Sequence, residues 1–271
     1  MIDWAEGKGW VTAGGKRLEW AAWGDRDAGP VIVLLHEGLG CLALWRDFPE
    51  RLSQATGLPV FAYSRANYGQ SDAAELPFPV DYMTRHAVDV LPDVLDAIGA
   101  GHFILMGHSD GATIAAEYAG RVVDFRVRAL VLMAPHFFTE EMGLAQIRLA
   151  RDAFAAGDMA AKMGKYHRDP VATFKGWNDG WLNPDFAAWD VSEVIDFLRV
   201  PALVIQGKDD QYGTLRQVDE VVSRSYAPVD VLVPDACRHS PQFDQPEAVL
   251  GAVRAFTQRL IAHEAAQPER A

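Results

Sequence analysis

The pentapeptide Gly107-His108-Ser109-Asp110-Gly111 sets a serine between two glycines, where the apolar stretch Phe103–Met106 gives way to a small-residue segment. This is the pattern of a nucleophile elbow, a strained strand-to-helix turn that presents a hydroxyl at the carboxyl edge of a sheet. Bulkier residues two positions either side would collide with the crossing strand and helix. A serine hydroxyl alone is a weak nucleophile, so the chemistry needs a base and an acid to orient it. In an elbow fold they follow in the order serine, acid, histidine. Asp209 and Asp210 both stand after the apolar run Ala202–Ile205, and both are candidates for the acid. His239 follows Val229–Val233, downstream of both, and is the expected base; His263 lies near the tail. The N–H of Asp110, at a helix N-terminus, can face a developing oxyanion. A second donor is expected from the loop His36-Glu37-Gly38-Leu39-Gly40, with Gly38 the first choice and Leu39 the second.

Positioning these residues requires alternating elements. Strands are predicted at Arg17–Trp23, Val31–Leu35, Pro59–Tyr63, Phe103–Met106, Ala129–Met133, Ala202–Ile205 and Val229–Val233. Helices are predicted at Leu44–Ala55, Asp81–Ile98, Ala112–Gly120, Thr214–Tyr226 and Pro246–His263. Val31–Leu35 is apolar throughout, as a strand buried on both faces must be. Alternation of this kind predicts an α/β fold with a mostly parallel sheet and helices on both faces. The rhythm breaks between 137 and 194, where helical pieces carry many large aromatics. That segment reads as a helical cap inserted into a core of residues 1–136 and 195–271. Its aromatics suggest an apolar pocket, with Phe137, Phe138, Trp177 and Trp181 the expected substrate contacts. His136 and His167, which border or lie within it, could also touch substrate. The tail, 264–271, reads as frayed.

The chain has 271 residues and a net charge of −12, so it is a poor candidate for nucleic acid or an anionic membrane surface. Two cysteines, Cys41 and Cys237, form neither a disulfide framework nor a metal-ligand spacing, and no metal is expected. The start has no signal-peptide pattern, and no apolar run reaches the length of a membrane span. A cytoplasmic protein acting on a small molecule is expected, with monomer and homodimer both open.

On these motifs the chain resembles the α/β-hydrolase superfamily, in its branch of small serine esterase-like enzymes with a helical cap. The resemblance rests on HEGLG (36–40), YSRANYGQSD (63–72), GHSDG (107–111), QGKDD (206–210) and CRHSP (237–241), and covers nearly the whole chain. It implies an eight-stranded, mostly parallel sheet, a Ser-Asp-His triad and acyl-enzyme chemistry without a cofactor. In related hydrolases the acid commonly stands three places after the glycine, which selects Asp210. The expected activity is that of a carboxylesterase cleaving a small, largely apolar ester. C–C bond hydrolysis of ring-cleavage diketones, thioester hydrolysis and a non-catalytic receptor role are the alternatives. Many relatives have His-Gly where this chain has His36-Glu37. A carboxylate at Asp110 is also unusual, and its charge opposes catalysis unless it turns away or pairs with a base.

Overall fold

A computed structural model describes residues 2–266. Eight strands, β1 (Lys8–Ala13), β2 (Lys16–Trp23), β3 (Val31–Leu35), β4 (Val60–Tyr63), β5 (Phe103–His108), β6 (Val127–Met133), β7 (Ala202–Ile205) and β8 (Val229–Leu232), form one sheet in the order β1-β2-β4-β3-β5-β6-β7-β8. β2 pairs antiparallel with β1 and with β4; every other neighbouring pair is parallel. The sheet is the expected one, with β1 added at the edge.

Around it lie α1 (Phe48–Thr56), α2 (Tyr82–Arg85), α3 (Leu91–Ile98), α4 (Asp110–Arg121), α5 (Glu141–Ala156), α6 (Met159–Met163), α7 (Pro170–Trp181), α8 (Arg216–Arg224), α9 (Pro241–Asp244) and α10 (Pro246–Ala266). Two expected helices are modified. The helix expected at Leu44–Ala55 divides into a 3-10 turn, Leu42–Trp45, and α1, because Arg46 takes a positive φ of 55°. The one expected at Asp81–Ile98 carries a π-helical stretch, His86–Val90, between α2 and α3. Pro92, near the start of α3, has no N–H to give to the preceding turn, and the wider turn lies just before it. The tail expected to fray is helical through Ala266; the remainder of it lies outside the described residues.

The central strands divide their side chains between two layers. Val31, Val33 and Leu35 of β3 join Leu105 of β5 on the face covered by α3 and α4, whereas Ile32, Leu34, Ile104 and Met106 face α1 and α10. Both faces are dry, so these strands show no polar alternation. Parallel pairing sends the loops after β3, β4, β5, β6, β7 and β8 to one edge, where open α/β sheets hold ligands. The chain between β6 and β7 carries α5, α6 and α7 over that edge. Its two ends are held side by side: Val191 N donates to Phe137 O at 2.7 Å, and Thr139 N to Trp189 O at 3.0 Å. No helix among the described residues is long and apolar enough to cross a membrane.

Candidate active site

The turn from β5 into α4 bends at Ser109, whose backbone lies at φ 53°, ψ −120°. A Cβ at position 107 would lie 2.1 Å from the carbonyl oxygen of Gly111, and one at 111 would lie 2.0 Å from that of Leu35. Only glycine lets strand and helix cross this closely. The bend is pinned by Ser109 N, which donates to Met133 O at 2.8 Å.

On the cavity side of the bend, Ser109 Oγ lies 2.9 Å from His239 Nε2. His239 Nδ1 lies 2.9 Å and 3.0 Å from the two carboxylate oxygens of Asp210. Three residues from three loops are thus joined in one hydrogen-bonded chain. Asp210 is buried whereas Asp209 is exposed, which decides between the two candidate acids by position. Burial would raise the Asp210 pKa, but the hydrogen bond and charge of His239 and the N–H of Tyr212 hold it below the usual carboxylate value. The acid and base loops also interlock through Asp209 N, which donates to Cys237 O at 2.8 Å.

A cavity of about 280 Å³ opens above Ser109. Gly38, Leu39 and Asp110 all line it. Asp110 is the first residue of α4, so its N–H has no partner within the helix. The loop carrying Gly38 and Leu39 is anchored by Arg65, only 4% exposed. The guanidinium donates to the carbonyls of His36 and Glu37, the latter at 3.1 Å, and the Arg65 N–H donates to His36 Nε2 at 3.0 Å. Burial and the nearby Arg65 charge hold the His36 pKa well down, so its ring is neutral and accepts that bond. Gly40 N turns back to Glu37 O at 3.1 Å, which leaves the N–H groups of Gly38 and Leu39, both cavity-lining residues, as the loop's candidate donors.

Arg65 also supplies the partner that the Asp110 carboxylate needs. The ion pair spans 3.9 Å, and Tyr82 Oη donates to the same carboxylate oxygen, itself receiving a bond from Trp181 Nε1 at 3.0 Å. Burial nonetheless leaves the Asp110 pKa above its ordinary value.

Of the expected substrate contacts, Trp177 and Trp181 are cavity walls, while Phe137 and Phe138 are not. Phe137 turns fully into the core, and Phe138 lies outside the cavity under Arg216. Adjacent residues on an extended stretch point opposite ways, and here neither direction is the cavity. His136 does line it, with a pKa lowered to about 3 by burial and the neighbouring His239, so it is a neutral hydrogen-bonding group. His167 instead accepts from Gly69 N at 3.0 Å and helps fasten the inserted segment to the loop after β4. Glu37, His108, Glu140, Gly143, Ile147, Gln211, Tyr212 and Ser240 complete the walls. The spacing signals that located Ser109 and His239 could not find most of these, since they converge from separate loops. No group of His, Cys, Asp and Glu among the described residues could hold a metal ion.

A family model described as alpha/beta hydrolase fold matches residues 30–190. The chain belongs to this family. Among curated relatives of this α/β hydrolase, 1-acylglycerol-3-phosphate O-acyltransferase ABHD5 of Homo sapiens is 30% identical over 42% of this chain and 32% of its own length. Epoxide hydrolase 2 of Siraitia grosvenorii is 32% identical over 41% of this chain and 34% of its own. The chain thus spans about a third of the length of these curated relatives. Among solved structures, a thermophilic esterase from Thermogutta terrifontis superposes with a TM-score of 0.73 at 18% identity, covering 93% of this α/β hydrolase and 98% of that chain. The 2-hydroxy-6-oxo-6-phenylhexa-2,4-dienoate hydrolase from Rhodococcus superposes at 0.78 with 15% identity, covering 93% and 98%. These likenesses establish the fold.

Proposed function

We propose that this α/β hydrolase is a serine hydrolase that cleaves small, uncharged, largely apolar carboxylic esters. The observation that carries the reading is the hydrogen-bonded chain from Ser109 through His239 to Asp210, set beside amides that have no other acceptor. His239, held by Asp210, takes the Ser109 proton as Oγ attacks the acyl carbonyl. The amides of Asp110 and Gly38, with Leu39 the alternative second donor, stabilise the tetrahedral oxyanion, each donor contributing about 3 kcal/mol. His239 then protonates the departing alcohol. Water, deprotonated by His239, attacks the acyl-serine and releases the acid.

The walls support the choice of ester. Trp177, Trp181 and Ile147 form an apolar side, and no lysine or arginine lines the cavity. Glu37 and Glu140 bring carboxylates instead. Thr214 and Gln217 donate to Glu140 and, against the effect of burial, hold its pKa below the usual value, so it is ionised. With Glu140 ionised and no lysine or arginine at the walls, a substrate carboxylate or phosphate has no long cationic side chain to hold it, which disfavours ring-cleavage dienoates and coenzyme A thioesters. The segment 137–194 acts as a cap whose Ile147, Trp177 and Trp181 give the substrate an apolar side, while leaving the acyl-serine open to the water that hydrolyses it.

A panel of aryl acetates and butyrates, assayed beside phenolic ring-cleavage dienoates and acyl-coenzyme A, tests this. The aryl esters are expected to turn over and S109A to lose activity by on the order of 1,000-fold or more. A fluorophosphonate should label wild type at Ser109. Undiminished hydrolysis by S109A would overturn the assignment.

A further inference from the structure

At the cavity wall beside the nucleophile lies a second acid–imidazole pair that the proposed mechanism does not use. Glu37 Oε2 is 3.4 Å from His108 Nδ1, and His108 Nε2 is 2.6 Å from the carbonyl oxygen of His239. His108 is 1% exposed, so its ring nitrogens must find partners within the protein. Each of the three residues occupies a telling place. Glu37 immediately precedes Gly38 in the loop with the proposed oxyanion donor, His108 immediately precedes Ser109, and His239 is the proposed base. Gly40 makes room for the carboxylate, since a Cβ there would lie 2.4 Å from Glu37 Oε2.

We propose that Glu37 and His108 form an ion pair, carboxylate and imidazolium, that ties the oxyanion loop, the nucleophile elbow and the His239 loop into one register. They are positioning residues for the reaction proposed above, and the kinetic part of the inference rests on that reading.

The hydrogen bonds argue for the charged form. A carbonyl only accepts, so Nε2 carries a proton. Were Nδ1 bare, its lone pair would face a carboxylate oxygen. Gln242 Nε2 also lies 3.1 Å from Nδ1, and Gln242 Oε1, buried, has no partner. Turning that amide over, which exchanges oxygen for nitrogen in the same outline, gives Nδ1–H a second acceptor. One proton on Nδ1 therefore satisfies both neighbours. The charged and titratable groups facing His108 are Glu37 from the loop after β3, His136 after β6, Asp210 after β7 and His239 after β8. Burial would lower the His108 pKa, but the hydrogen bond and charge of Glu37, the His239 carbonyl and Asp210 together raise it.

Long-range proton–nitrogen NMR on histidine-labelled protein, with His108 assigned by its loss in H108Q, reads the pair without any substrate. Both His108 ring nitrogens should bear protons at pH 7 in wild type and in S109A, and only Nε2 in E37Q. With an aryl acetate, E37Q and H108Q should each lower kcat on the order of 10- to 100-fold with little change in KM, and E37D should recover part of the loss. In wild type kcat should fall as pH rises through the raised His108 pKa, a limb absent from E37Q. A singly protonated His108 in wild type at pH 7 would overturn the proposal, as would an unchanged kcat in folded E37Q. If no ester is turned over but His108 is doubly protonated, the ion pair stands and the esterase reading falls.

Discussion

Adding one methyl group at position 38 should disable the site while leaving every proposed reacting group in place. A Cβ on Gly38 would lie 2.2 Å from Nε1 and 2.3 Å from Cδ1 of Trp177. Ordinary carbon contacts begin near 3.4 Å, so ring or loop must give way by roughly 1.2 Å. Trp177 is 7% exposed and rests edge-on against Phe174 in α7, so it is packed on the sides away from the cavity it lines. The strain therefore falls in part on the loop, which carries the proposed oxyanion amide. A displacement of about 1 Å commonly costs on the order of 100-fold in rate, close to the loss of one oxyanion donor. G38A is thus expected to keep its fold by circular dichroism, bind aryl esters with similar KM and lose on the order of 100-fold in kcat. Because the collision is with one side chain, W177L in the same protein should recover tenfold or more, even though W177L alone weakens binding of the aryl group. Wild-type kcat in G38A, or a double variant no better than G38A, would refute the placement of the donor and its coupling to α7.

Other outcomes follow from the same geometry. R65M leaves the Asp110 carboxylate buried without its counter-ion, and should cost about 3–5 kcal/mol in urea unfolding; D110N in the same chain should restore part of it. G111A drives a Cβ against the Leu35 carbonyl, a backbone atom that cannot turn aside, and should yield little folded protein on expression. D210N removes the group that orients His239 and should lower kcat by about 10⁴ with a small change in KM. The Asp210 pKa is depressed in the folded state, so its contribution to stability is present above the unfolded value of about 3.9 and is lost as pH falls through the folded value. The stability gap between wild type and D210N, measured by urea unfolding from pH 7 to pH 3, should therefore narrow only below about pH 4.

Strands buried on both faces were legible because burial leaves no polar residue in them, as in Val31–Leu35 and Phe103–Met106. The elbow was legible because its glycines are demanded by contacts two residues away, a local requirement. β1 was overlooked: it alternates buried and exposed residues at a sheet edge, and its turn, Gly14-Gly15, both at positive φ, was the available signal for a hairpin. Phe137 and Phe138 were misplaced because aromatic content indicates burial without saying in which layer.

By itself the sequence determined the order of elements, the elbow at Ser109 and the candidacy of His239, since each depends on neighbours within a few positions or on which strand a residue follows. Only the tertiary structure decided that Asp210 and not Asp209 reaches the imidazole, that Arg65 offsets the Asp110 charge, and that Glu37 meets His108 beside the nucleophile. Those contacts join loops separated by tens of residues in the chain, and parallel pairing alone sets the edge on which they gather.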